Sequence, residues 1–169
     1  RTTVVHTITL ENVFSTMYAT AYSVVLDNIK PQNVKAYDSS GVLPLEVTTQ
    51  GENSLLKVSF KDAVVGKGKT RTFNISYDEG SFAVRTGEVW EISIPRLGEP
   101  DSFRNYTVVL KVPSSFGQEA YISPKPVDSS EDSGYRIYTF DKDSVSQTGI
   151  AAGFGEFQVF SFTLNYHIE

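Results

Sequence analysis

Val64-Val65-Gly66-Lys67-Gly68-Lys69-Thr70-Arg71-Thr72-Phe73-Asn74-Ile75-Ser76-Tyr77: in this run two architectures compete. Its first half resembles the end of a phosphate-binding loop, with Gly68-Lys69-Thr70 in the place of the Gly-Lys-Thr triplet. That motif requires a glycine five residues before the triplet and a helix after it, so that helix N-terminal amides meet the phosphates. Ala63 stands at the glycine position. After Thr70 the apolar residues are Phe73, Ile75 and Tyr77, a period of two that belongs to a strand. The run therefore reads as a glycine turn between two strands, and the chain as all-β.

The same alternation extends outward. Upstream, Leu56, Val58 and Phe60 form one strand, and Val4, His6, Ile8 and Leu10 alternate with Val5, Thr7 and Thr9 in another. Tyr18 to Leu26 is apolar on both faces, which predicts a strand in the centre of a sheet, covered on both sides. Val34–Tyr37 and Val42–Val47 flank the turn Asp38-Ser39-Ser40-Gly41. Downstream, Ser81–Arg85, Val89–Ile94, Tyr106–Val112, Tyr121–Ile122 and Tyr135–Phe140 read as strands, and Asp128–Gly134 as a polar loop. Phe160, Phe162, Leu164, Tyr166 and Ile168 close the chain with the clearest alternation. No window sustains a period of 3.6. About eleven or twelve strands at this spacing predict one large antiparallel β-sandwich over residues 1–169. The Pro95–Ser102 patch is the one linker-like stretch that could divide it.

Composition limits the function classes. The 169 residues are 40% hydrophobic and 12% aromatic, a globular composition. The net charge is −5, and no basic run occurs. The footprint of nucleic-acid binding is thus missing. The same balance disfavours docking on anionic membranes, and no apolar stretch approaches the ~20 residues of a membrane-spanning helix. The expected partners therefore exclude nucleic acid and direct membrane insertion. With no cysteine, disulfides, zinc-thiolate sites and a cysteine nucleophile are excluded.

The candidate chemistry is sparse. Asp141 and Asp143 have the spacing of the first two ligands of a calcium loop, but Ser146 and Ala152 stand where its glycine and distal glutamate belong. A weak structural calcium site is the most they predict. His6 and His167 sit in strand patterns without partner motifs; His6 reads as a partly buried, hydrogen-bonded filler. Glu88 and Glu91 flank Trp90, and Trp90 fits the inward set with Ile92 and Ile94. Exposed instead, Trp90 with Tyr121 and Tyr135 would supply a platform for stacking sugars. The sequons at Asn74 and Asn105 lie inside strands and read as chance matches.

The runs "TVVHTITLENVFSTMYATAYSVVL", "NVKAYDSSGVLPLEV" and "LLKVSFKDAVVGKGKTRTFNISY" resemble the β-sandwich region that precedes the catalytic core in bacterial exported transglutaminase-like proteins. "EVWEISIPRLGEPDSFRNYTVVLKVPSSFG" and "GFGEFQVFSFTLNYHIE" extend the resemblance over nearly the whole chain. More distantly the chain is similar to the N-terminal supersandwich of zinc aminopeptidases and to ribophorin-like domains. The resemblance implies a supersandwich-like fold, an extracellular or cell-envelope setting and a non-catalytic accessory role beside a downstream catalytic domain. That domain's Cys-His-Asp machinery would lie outside this sequence. Together with strand patterns at both ends, this leads to the expectation of a domain excised from a longer chain, with no catalytic residue, no cofactor and a protein or glycan partner. A carbohydrate-binding module is the alternative.

Overall fold

A computed structural model describes residues 1–155, and the closing alternation at 160–168, with His167, lies outside the described residues. Fourteen strands, one α-helical turn and two 3-10 turns are described, and every strand pairing is antiparallel. The all-β, sandwich-like architecture read from the alternation is what the chain adopts.

Where one continuous unit is expected, the chain divides into two, Arg1–Ser81 and Phe82–Glu169. The division falls after Asp78-Glu79-Gly80, a stretch indistinguishable in sequence from an ordinary turn, and not at Pro95–Ser102. The physical reason is pairing: no described ladder joins a strand before Ser81 to one after it.

The first unit holds two sheets. One has the order β1 (Thr2–Glu11), β7 (Thr70–Glu79), β3 (Gln32–Asp38), β4 (Gly41–Val42). The other has the order β2 (Ala21–Leu26), β6 (Asn53–Ser59), β5 (Leu45–Gln50). Phe73, Ile75 and Tyr77 of β7 are buried, as are Leu56 and Val58 of β6. The Tyr22 ring of β2 meets Phe73 edge-on at 5.5 Å, which joins the two inner faces. On the outer face of β1 and β7, Thr7 donates to Asn74 at 2.7 Å and Thr9 pairs with Thr72 at 2.8 Å, the polar half of the alternation.

The second unit also holds two sheets. One has the order β11 (Gln118–Ser123), β14 (Ile150–Gly155), β9 (Val89–Ile94), β8 (Ala83–Thr86); the other has β10 (Thr107–Pro113), β13 (Tyr135–Asp141), β12 (Asp128–Asp132). Both contribute to one core: Ile92, Ala152 and Phe154 from the first, Leu110, Val112, Tyr138 and Phe140 from the second.

Three strand expectations change. β2 is an edge strand, not a central one, and Val25 is exposed. The supposed polar loop at Asp128–Gly134 contains β12, whose residues are all exposed. An edge strand wet on both faces needs no apolar alternation; its pairing is set by the hairpin turn, where Ser133 and Gly134 both take positive φ (51° and 82°). β14 went unread for the opposite reason. It lies between β11 and β9, buried at five of six positions, so small residues replace alternation. A Cβ on Gly153 would stand 2.5 Å from the Tyr121 ring, so that position accepts only glycine unless the ring moves.

Candidate functional site

The three candidate platform rings all fall in the second unit, and the structure does not bring them together. Trp90 sits opposite Phe154 on the inward face of its sheet and stacks on Phe116 at 4.0 Å with 6° between planes. It packs partly buried against the core, as its alternation with Ile92 and Ile94 indicates. Tyr121 faces outward from that sheet and lies across Gly153, the way an aromatic ring compensates for a bare glycine in a strand. Tyr135 is exposed on the outward face of the other sheet, one residue before the inward Arg136. Trp90 and the two tyrosines therefore share no face.

Asp141 and Asp143 are placed at the start of the helical turn α1 (Lys142–Val145). The Asp141 carboxylate accepts from the Ser144 amide at 2.9 Å as its N-cap. Hydrogen bonds from Ser144 hold its pKa below the usual carboxylate range. The two-residue spacing is thus also that of a cap and a first-turn acid, which favours the helix dipole. Among the described residues no group of three or more metal-ligating side chains gathers. Gly66 and Gly68 take φ of 112° and 78°, Lys69 donates its amide to the Gly66 carbonyl, and β7 follows, so the phosphate-loop-like run is a turn.

Two open clefts carry polar side chains. The one in the second unit, about 370 Å³, lies where the exposed edges β11 and β12 leave the sandwich open. Tyr138, almost fully buried, donates to Glu119 at 2.6 Å, and Arg136 pairs with Glu131 at 3.4 Å and donates to the Gly117 carbonyl. Burial, then the bond to Glu119, pushes the Tyr138 phenol far above its ordinary value. The phenol is a fixed donor at neutral pH, and each acid has a partner. The cleft in the first unit, about 410 Å³, centres on Asp78. Asn33 donates to it at 2.8 Å and Thr3 at 3.0 Å, and Arg1 pairs with it. Asn33 stands in the left-handed region (φ 53°) at a register shift in β3, which turns its amide onto Asp78. These donors, Asn33 foremost, hold Asp78 below the usual carboxylate range. His6 sits behind it on the inner face, Nε2 3.2 Å from the Tyr77 hydroxyl, with burial lowering its pKa. Burial, then Glu79, pushes Tyr77 up to about 12.

The feature that sequence reading missed lies at the opposite end of the first unit. Between β1 and β2 every residue from Val13 to Thr20 is exposed, although Val13, Phe14, Met17 and Tyr18 are apolar. Asn12 shapes this loop. Its side-chain amide donates to the carbonyls of Met17 (2.6 Å) and Val64 (3.0 Å), and its carboxamide oxygen accepts the Phe14 amide at 2.9 Å. Its backbone pairs with Gly68 and Lys69, and Phe60 donates to Thr20 at the loop's far end. The loop is thus fastened at both ends to the glycine-lysine loop. The signal available in sequence was apolar residues without any period, between two strands, where turn formers belong.

No family model, curated protein or solved structure matches the chain.

Proposed function

We propose that the chain is a non-catalytic accessory region of an exported or cell-surface protein, which serves in spacing, docking or partner binding beside a neighbouring catalytic domain. The apolar loop of the first unit supports this reading best: hydrogen bonds converging on Asn12 fasten a segment whose apolar side chains are exposed. Exposed apolar clusters of this kind mark interaction surfaces. The transglutaminase-like identity of the neighbour rests on the resemblance of the strand-and-turn runs. The clefts support the same reading, since their acids are engaged by Tyr138, Arg136, Asn33, Thr3 and Arg1 in ties between strands.

Two measurements test it. Turnover of acyl-transfer or glycoside substrates by the chain, lost in Glu119→Gln or Tyr138→Phe, would sink the non-catalytic reading. Titration with glycans should leave Trp90 fluorescence unchanged; a saturable change would put the carbohydrate-binding alternative first.

A further inference from the structure

We propose that the paired loops 12–20 and 60–69 dock the chain on an anionic lipid surface, with the apolar loop entering the interface and the lysine loop meeting the headgroups. The inference rests on the docking reading above and names its partner.

Exposure and chemistry carry it together. Phe14 is 53% exposed, Met17 55%, Tyr18 46% and Val65 of the neighbouring loop 49%. Beside them Lys61, Lys67 and Lys69 are exposed. None of the three joins an ion pair among the described residues, whereas Arg71 is engaged by Asp38 at 3.5 Å and covers the Phe60 ring. The acid on the two loops is Asp62, and Glu11 ends β1 next to them. The total of −5 thus conceals two joined loops that carry three exposed lysines together with exposed apolar side chains. Net negative charge disfavours an anionic membrane for the surface as a whole, and not for this end of the first unit.

The mixture favours lipid over protein. Phe, Tyr and Met are common in protein interfaces, but lysine is depleted there. Apolar side chains with flanking lysines are the composition of interfacial segments, in which lysine stems lie along apolar surface and their charges reach the headgroups. Each lysine near an anionic surface adds roughly tenfold or less in affinity. A second copy on the same patch would set these lysines against their own counterparts, because a two-fold contact joins identical surfaces. Anchoring by Asn12 keeps the ordering cost of insertion low, since the loop is already held in shape.

The test is co-sedimentation of the 169-residue chain with vesicles of phosphatidylcholine alone and of phosphatidylcholine with phosphatidylglycerol. Binding to the anionic vesicles that weakens with salt is expected. Phe14→Ser with Met17→Ser should lower partitioning roughly tenfold or more. Lys67→Gln with Lys69→Gln should lower it on anionic vesicles only. Val25→Ser, an exposed apolar residue on β2, should change nothing. In Phe14→Trp, a variant that keeps the loop aromatic, emission should shift to the blue on anionic vesicles. Absence of binding, equal binding to both vesicle types, no shift in Phe14→Trp, or an equal loss in Val25→Ser overturns the proposal. Self-association in sedimentation velocity that Phe14→Ser erases, without vesicle binding, also overturns it and assigns the patch to a second copy. Failure here with no turnover by the chain removes only the lipid partner; turnover that depends on Glu119 or Tyr138 removes the docking reading itself.

Discussion

The two ends of the first unit solve opposite problems with the same device. At one end Asn33, Thr3 and Arg1 converge on Asp78 and cover a carboxylate in the cleft of β1, β3 and β7. At the other, Asn12 converges on three backbone groups and holds apolar side chains outside the fold. Hydrogen bonding to a side-chain amide thus serves burial of charge in one place and exposure of hydrophobe in the other. The lesson is that the exposed apolar loop is built into the fold. A loose connection would have left the Met17 and Val64 carbonyls to water.

Phe73 is fully buried between the two sheets and is touched by Tyr22 and Phe60. Phe73→Ala should cost about 3–5 kcal/mol in denaturant unfolding of the first unit; a cost under about 1 kcal/mol would show that the two sheets do not share this core. Asn12→Ala should cost about 1–2 kcal/mol, because two carbonyls lose their donor. Hydrogen exchange should rise across 12–20 and stay unchanged at Asn33 and Asp78; a uniform rise would show that the two ends are not independent.

Next in size are two pH effects at the Asp78 end. Asp78 has a folded pKa below its unfolded value, so its contribution is present above about pH 4 and is lost as pH falls through the folded value. Asp78→Asn should flatten the acid limb of the stability curve. His6 is also lowered, through burial of the neutral ring. Its unfolded form takes up a proton below about pH 6.5 while the folded form does not, so stability should fall from there down to the folded value. His6→Gln should remove that slope and leave the lower limb; an unchanged slope would place the proton elsewhere. The smallest expected effect is at the apolar tip. Phe14→Ser should move stability by less than about 0.5 kcal/mol, whereas a loss like that of Phe73→Ala would mean that Phe14 is a core residue.

Legibility in sequence followed water. β7 and β9 face water on one side, so Phe73, Ile75 and Tyr77, and Trp90, Ile92 and Ile94, could be read directly. β12 faces water on both sides and β14 on almost none, and neither carries a period of two. Trp90 was legible as an inward residue, yet its stacking on Phe116, from a segment of the chain far from β9, was not. The proposed sugar platform failed to assemble for a related reason: Trp90, Tyr121 and Tyr135 are equally aromatic in sequence, and only strand pairing decides which face each one takes.

By itself the sequence determined that this protein is all-β, that its glycine-lysine run is a turn, and that neither cysteine chemistry nor a broad basic surface is available to it. Those conclusions rest on residue types and on a local period of two. The division at Ser81, the engagement of Asp78 and Glu119 by distant donors, and the presentation of Phe14 and Met17 beside Lys67 and Lys69 were decided only in three dimensions. Each depends on which strands pair and on which loops their pairing brings together, and a local period carries no information about that.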